Sequence, residues 1–214
     1  MKAVGGMLPK LLCITDRRVT PKPLAEQIEV LCAAGVQLVQ VREKELSDRA
    51  LYHLATTLRT TTARYGAKLL INDRVDIALA VEADGVVLPE LGLPVQVARK
   101  IKPEWIIGRS VHTVRGAKEA EDSGVDFIIF GHIFETHSKP LAAPKGLDAL
   151  REVVESVSVP VFAVGGITPE RAKLCWQAGA FGVATISSLM QAQCPQAVMQ
   201  AFWTAMKTAN RQTN

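Results

Sequence analysis

The chain has little of what many specialised proteins are built on. Its four cysteines, Cys13, Cys32, Cys175 and Cys194, show neither C-x-x-C nor zinc-type spacing, which excludes a disulfide framework and a structural zinc site. Cys13, Cys32 and Cys175 fall inside apolar periodic segments, where cysteine acts as a small hydrophobe, so a reduced, cytoplasmic protein is expected. No apolar run approaches the roughly 18 residues of a membrane span. Gly5, Gly6 and Pro9 interrupt the apolar stretch at the start, so a soluble protein with no membrane partner is expected. The net charge of +4 is scattered, with no basic block interleaved with aromatics, so nucleic acid is not an expected partner and the charge supports only a modest preference for small anions. Low-complexity tracts and linkers are also missing.

What the chain has instead is a repeat. Short apolar runs fall at 11–15, 38–41, 68–72, 85–88, 106–110, 127–131, 161–164 and 182–186, and helical periodicity lies between them at 24–34, 48–65, 75–81, 94–101, 114–122, 147–156, 169–178 and 196–208. Ser47 before Asp48 and Thr168 before Pro169 are helix-start signals, and Gly35, Gly66, Gly124 and Gly179 follow helix ends. Asp73 also stands where an N-cap belongs. Strands this short, apolar and non-alternating fit a parallel sheet covered on both faces. Eight strand–helix units predict an α/β fold, a single-domain (β/α)8 TIM barrel over 1–214, with 1–7 and 208–214 as frayed tails, rather than an open doubly wound sheet.

In such a barrel the chemistry sits just past the carboxyl ends of the strands. His132 follows the sixth strand, and histidine both takes and gives a proton near neutral pH, so His132 is the candidate catalytic residue for a proton relocation. Gly165-Gly166 after the seventh strand lets backbone N–H groups approach an anion with no Cβ in the way. Ile186-Ser187 after the eighth begins a turn able to close the other side. These four are the candidate phosphate-binding residues.

Seven segments then carry a resemblance. Gln40-Val41-Arg42-Glu43-Lys44, Ile71-Asn72-Asp73-Arg74-Val75-Asp76-Ile77-Ala78, Ala83-Asp84-Gly85-Val86-Val87-Leu88, Gly108-Arg109-Ser110-Val111-His112, Gly131-His132-Ile133-Phe134-Glu135-Thr136, Gly165-Gly166-Ile167 and Ile186-Ser187 stand in the order found in the thiamine phosphate synthase superfamily, over nearly the whole chain. Val87-Leu88-Pro89, the Gly108–His112 segment and above all Phe130–Thr136 are most similar to its TenI branch, the thiazole tautomerases.

That resemblance implies an isomerase of thiamine biosynthesis, acting without cofactor or metal on a small phosphorylated thiazole. His132 would move a ring proton of the non-aromatic carboxythiazole phosphate to its exocyclic carbon, giving the aromatic tautomer. The phosphate would lie on Gly165, Gly166, Ile186 and Ser187, while Arg42, Asn72, Ser110, Thr136 and Lys139 would line the ring and hold the carboxylate. Arg42 also has a plainer reading as the ion-pair partner of a carboxylate such as Asp73, and a homo-oligomer is left open.

Two substitutions bear on the branch. The synthases join a pyrimidine pyrophosphate to a thiazole phosphate, with Mg²⁺ between aspartates after the third and fourth strands. Gly92 stands where the second aspartate is expected, and His132 stands where synthases carry proline. Against this, Gln40, Arg42, Lys44, Asn72 and Asp73 retain the pyrophosphate and metal side. The Mg²⁺-dependent synthase is therefore the alternative, and a non-enzymatic ligand-sensing regulator the weaker one, since no helix-turn-helix pattern is visible.

Overall fold

A computed structural model describes residues 8–136 and 142–210, so His137 and Lys139 lie outside the described residues. Eight parallel strands close into one barrel in sequence order: β1 (Leu11–Ile14), β2 (Leu38–Val41), β3 (Lys68–Asn72), β4 (Gly85–Leu88), β5 (Ile106–Val111), β6 (Phe127–Gly131), β7 (Val161–Val164) and β8 (Gly182–Thr185). The seam pairs the first strand with the last, Leu11 opposite Val183 and Cys13 opposite Thr185. Around the barrel lie α1 (Leu24–Ala33), α2 (Asp48–Arg64), α3 (Val75–Ala80), α4 (Val95–Ile101), α5 (Val114–Asp122), α6 (Gly146–Ser156), α7 (Pro169–Gln177), α8 (Ser187–Met190) and α9 (Pro195–Asn210). The (β/α)8 barrel expected from the sequence is the observed fold.

The absence of polar–apolar alternation has a direct cause. In β1, Leu12 and Ile14 enter the barrel interior while Leu11 and Cys13 pack outward under the helices, so both faces of each strand are removed from water. The interior is a filled core. Phe127 and Phe162 meet edge-on, with ring centroids 5.3 Å apart and planes at 65°. Phe127 occupies space that only glycine leaves on the neighbouring strand, since a Cβ on Gly108 would lie 2.3 Å from its ring. Full burial of one such ring contributes about 2–3 kcal/mol.

At the opposite end from the strand tips, two aspartates repeat one device. Asp84, just before β4, donates its N–H to Leu69 O at 2.9 Å, and its carboxylate accepts from Leu69 N–H (2.9 Å), Arg59 (3.0 Å) and Lys68 (2.8 Å). Asp126, just before β6, does the same to Ile107 and accepts from Arg99 at 2.7 Å. Each carboxylate therefore ties a strand start to the preceding strand and to the helix before that strand.

Local signals held unevenly. Ser47 and Thr168 cap α2 and α7 through their hydroxyls, accepting from Ala50 N–H at 3.4 Å and Arg171 N–H at 3.3 Å. Asp73 does not cap α3. It sits in the left-handed region at φ +66°, and Arg74 precedes that helix without a side-chain cap bond. The short helix α8 is an element the sequence reading did not contain. Helix α9 continues past 208 to Asn210, anchored by Ala209 at 1% exposure, so the tail expected from 208 is helical that far.

All four cysteines are unpaired. Cys13, Cys32 and Cys175 are buried, and burial pushes the thiols of Cys32 and Cys175 up to about 11 and about 12, while Cys194 is exposed. Among the described residues no helix is long and apolar enough to cross a membrane.

Candidate functional site at the barrel mouth

A cavity of about 420 Å³ opens at the carboxyl ends of the strands. Nine of the ten residues singled out in the sequence line it: Arg42, Asn72, Ser110, His132, Thr136, Gly165, Gly166, Ile186 and Ser187. Lys139, the tenth, lies outside the described residues.

The β2 side is built from alternation. Arg42 and Lys44 face the cavity, while the intervening Glu43 is 3% exposed and points into the fold. Both Glu43 carboxylate oxygens accept from Arg17 N–H, at 3.1 and 3.2 Å, and Thr15 Oγ1 accepts from Arg42 N–H at 3.0 Å. Burial pushes the Glu43 carboxyl upward, against hydrogen bonds from Thr15 and Arg17 that pull it down. This network locks the start of the loop so that the two cations flanking Glu43 project into the mouth. Among the described residues Arg42 makes no ion pair with Asp73, and the carboxylate that feels its charge is Asp16.

Next to it, Gln40 Nε2 donates to Asn72 Oδ1 at 2.9 Å, and Gln40, 2% exposed, leaves its Oε1 without a hydrogen-bond partner. A buried amide oxygen with no partner costs on the order of 1–3 kcal/mol, so it favours a ligand that brings a donor.

Across the mouth, the β7 turn and the segment after β6 pack hard against each other. Gly165 and Gly166 have φ of +100° and +64°. A Cβ on Gly165 would lie 2.2 Å from His132 Cβ, and one on Gly166 would lie 2.4 Å from Glu135 O. Glycine is thus required here by close approach of the neighbouring loop as well as by conformation. The turn is fastened to β8 through Ile167 O, which accepts from Thr185 Oγ1 at 3.1 Å and Ser188 Oγ at 2.6 Å.

His132 is 6% exposed, and its Nε2 lies 3.0 Å from Ala142 O. A carbonyl only accepts, so Nε2 carries the proton and is committed to the loop. His112 also lines the cavity. Glu90 holds it by accepting its backbone N–H at 3.3 Å and lying 3.2 Å from its Nδ1.

Sequence reasoning did not single out Arg171, which lines the cavity from the first turn of α7. A rule confined to strand ends passes over it. The available signal was its place three residues after the capping Thr168, where a long side chain reaches back over the turn.

A family model described as thiamine monophosphate synthase matches residues 11–189. The chain is 50% identical over 184 residues to the putative thiamine-phosphate synthase 2 of Aquifex aeolicus, covering 86% of this chain and 99% of that protein. It is 42% identical to the thiamine-phosphate synthase of Pyrococcus furiosus, covering 86% and 88%. The solved thiamine phosphate pyrophosphorylase from Pyrococcus furiosus superposes with a TM-score of 0.84 at 38% identity, covering 94% of this chain and 96% of the other. These names are those of synthases, which are transferases, and they overturn the isomerase expected from His132. The correction rests on these relatives, since the bond from His132 Nε2 to Ala142 O fixes the ring and its tautomer, as an anchored imidazole is fixed whether or not its other nitrogen exchanges a proton.

Proposed function

Because the chain belongs to the thiamine monophosphate synthase family, we propose that it is a transferase of thiamine biosynthesis that joins a pyrimidine pyrophosphate to a thiazole phosphate, releasing pyrophosphate. The observation that carries this reading is the presence of two cationic poles in one cavity. Arg42 and Lys44 project after β2, and Arg171 stands beside the Gly165–Gly166 turn after β7. A carboxythiazole phosphate would also bring two anionic groups, so it is the poles taken together with relatives named as synthases that favour two ligands. Two poles on different sides of a 420 Å³ mouth suit two anionic substrates held with their reacting rings between them.

In this reading the new carbon–nitrogen bond forms as the carbon–oxygen bond to pyrophosphate breaks. Arg42 and Lys44 meet the charge that develops on the leaving group, Gln40 and Asn72 orient a ring bearing a hydrogen-bond donor, and the Gly165–Gly166 turn with Ile186 and Ser187 receives the thiazole phosphate. Ser110 and Thr136 line the space between.

The donors present do not suit the magnesium ion that the family resemblance implies. Asp73 offers one carboxylate. A Cβ on Gly92 would lie 3.2 Å from Asp73 Oδ1, so an aspartate there would bring a second carboxylate beside the first, and glycine brings none. Glu90 is turned to His112. Among the described residues no group of three or more His, Cys, Asp or Glu side chains converges as a metal site. Among the described residues the donor set does not form a magnesium site of the protein's own.

The test is the purified protein with thiazole phosphate and pyrimidine pyrophosphate, across a range of Mg²⁺ concentrations and with EDTA. Thiamine phosphate and pyrophosphate are expected in equal amounts. No thiamine phosphate at any Mg²⁺ concentration would refute the proposal.

A further inference from the structure

The cation after β7 is held in a way that distinguishes it from most arginines of the chain. Arg59, Arg74 and Arg99 each lie against a carboxylate. Arg171 does not. Its Nη1 donates to Gly166 O at 2.9 Å, and its guanidinium lies over the Phe134 ring, 4.9 Å from the centroid. Among the described residues no carboxylate comes within ion-pair distance of it. The adjacent Glu170 is occupied elsewhere, accepting from Thr168 Oγ1 at 2.7 Å.

A guanidinium carries five N–H donors. Here one edge is fixed to the β7 turn, one face is covered by a ring, and the side chain lines the cavity. Both contacts fix its direction while neutralising none of its charge. A half-buried cation with donors to spare, beside a turn whose two residues have no Cβ, is suited to a group with several acceptor oxygens. Phosphate matches the fork geometry of arginine better than a single carbonyl or hydroxyl does.

The geometry points to Arg171 as the specificity-determining residue by which this site distinguishes a phosphorylated thiazole from its free alcohol. The inference rests on the synthase reading for the identity of the ring, and it deepens that reading by assigning the discrimination to one side chain. The guanidinium takes the phosphate oxygens, and Phe134 and Gly166 O keep it in place before the ligand arrives.

The experiment is calorimetric binding of thiazole phosphate, free hydroxyethyl thiazole and inorganic phosphate to the wild type, R171Q and R171K, each with unfolding temperature checked. Gln keeps a donor for Gly166 O and removes the charge, while Lys keeps the charge. R171Q should bind both phosphate-bearing probes about 10- to 100-fold more weakly, the range of a charge-assisted hydrogen-bonded pair, and should bind the alcohol within about twofold of wild type. R171K keeps the charge without the fork or the fixed direction and should fall between the wild type and R171Q. Equal weakening of the alcohol, no weakening of phosphate, or R171K as poor as R171Q would each overturn the inference and make Arg171 a brace for the turn. A wild type that binds thiazole phosphate yet makes no thiamine phosphate would refute the synthase reading alone, because the contrast between phosphate and alcohol is read from binding.

Discussion

Replacing Gly165 by alanine tests whether the β6 and β7 loops are packed as tightly as the structure has them. Two penalties combine. Alanine must adopt φ near +100°, a conformation that costs an L residue roughly 1–2 kcal/mol. Its Cβ would also lie 2.2 Å from His132 Cβ and 2.7 Å from His132 Cα, an overlap with backbone that no rotamer relieves, and overpacking of this kind costs about 1–3 kcal/mol. The sum is about 2–5 kcal/mol, and at about 2–4 °C per kcal/mol for a chain of this size the unfolding temperature should fall by roughly 4–20 °C. Gly66→Ala is the control, since Gly66 has φ +66° and nothing within 4 Å of a Cβ, so it should cost only the conformational part. The two variants are compared by thermal and urea unfolding at neutral pH. If they lost the same stability, the contact with His132 would contribute nothing, and the account of why glycine stands at this turn would be wrong.

Other expectations follow the same logic. Phe162→Ala removes a ring with no exposure that packs against Phe127 and Phe181, so urea unfolding should show a loss of about 3–5 kcal/mol, and a loss below about 1 kcal/mol would mean the barrel interior is not packed as described. Asp84→Asn weakens a carboxylate serving Leu69 N–H, Arg59 and Lys68 and should cost about 1–2 kcal/mol in the same assay. The Arg18 side chain hydrogen-bonded to Asp16 holds its carboxyl below the usual carboxylate range. The stability Asp16 provides is therefore present above pH about 4 and lost as pH falls through its lower folded-state value. The stability gap between wild type and Asp16→Asn should accordingly narrow as pH is lowered from 6 to 2.5, and a constant gap would contradict the pairing. Arg42→Gln should raise KM for the pyrophosphate substrate about tenfold or more and leave the binding of thiazole phosphate unchanged; equal loss for both ligands would argue against separate anion seats.

The barrel was legible because burial on both faces leaves the same mark on every strand, an apolar run without alternation, and because the runs recur with helical stretches between them. Helix α8 escaped because Ser187–Met190 is too short to show a period. The location of the site followed from the strand ends, which is why nine chosen residues surround one cavity. What each group does there depended on partners far away in sequence. That Glu90 faces His112 rather than Asp73, and that Ala142 O holds His132 Nε2, are matters of loop geometry, and no spacing in the chain announces them. His132 was weighted for its titration, which is a property of the residue type and says nothing of the carbonyl that holds its Nε2. Arg171 was passed over because it stands inside a helix and not at a strand tip.

The β1–β8 seam has a consequence for how the chain comes to be made. Leu11 and Val183 are paired although nearly the whole sequence lies between them, so this ladder is the contact of greatest loop-closure cost and is expected to form late. During synthesis β1 emerges first and waits for the strand that completes it. Until then the sheet has two open edges, and Phe162, which loses its neighbour across β8, is uncovered on one side. A nascent chain stalled before residue 182 should therefore aggregate or be retained by chaperones, while full-length protein refolds. A circular permutant that joins the termini and is cut in the loop between α4 and β5, at the end of the barrel away from the cavity, would turn the seam into an internal connection and move the waiting edge elsewhere, with the mouth of the barrel unaltered.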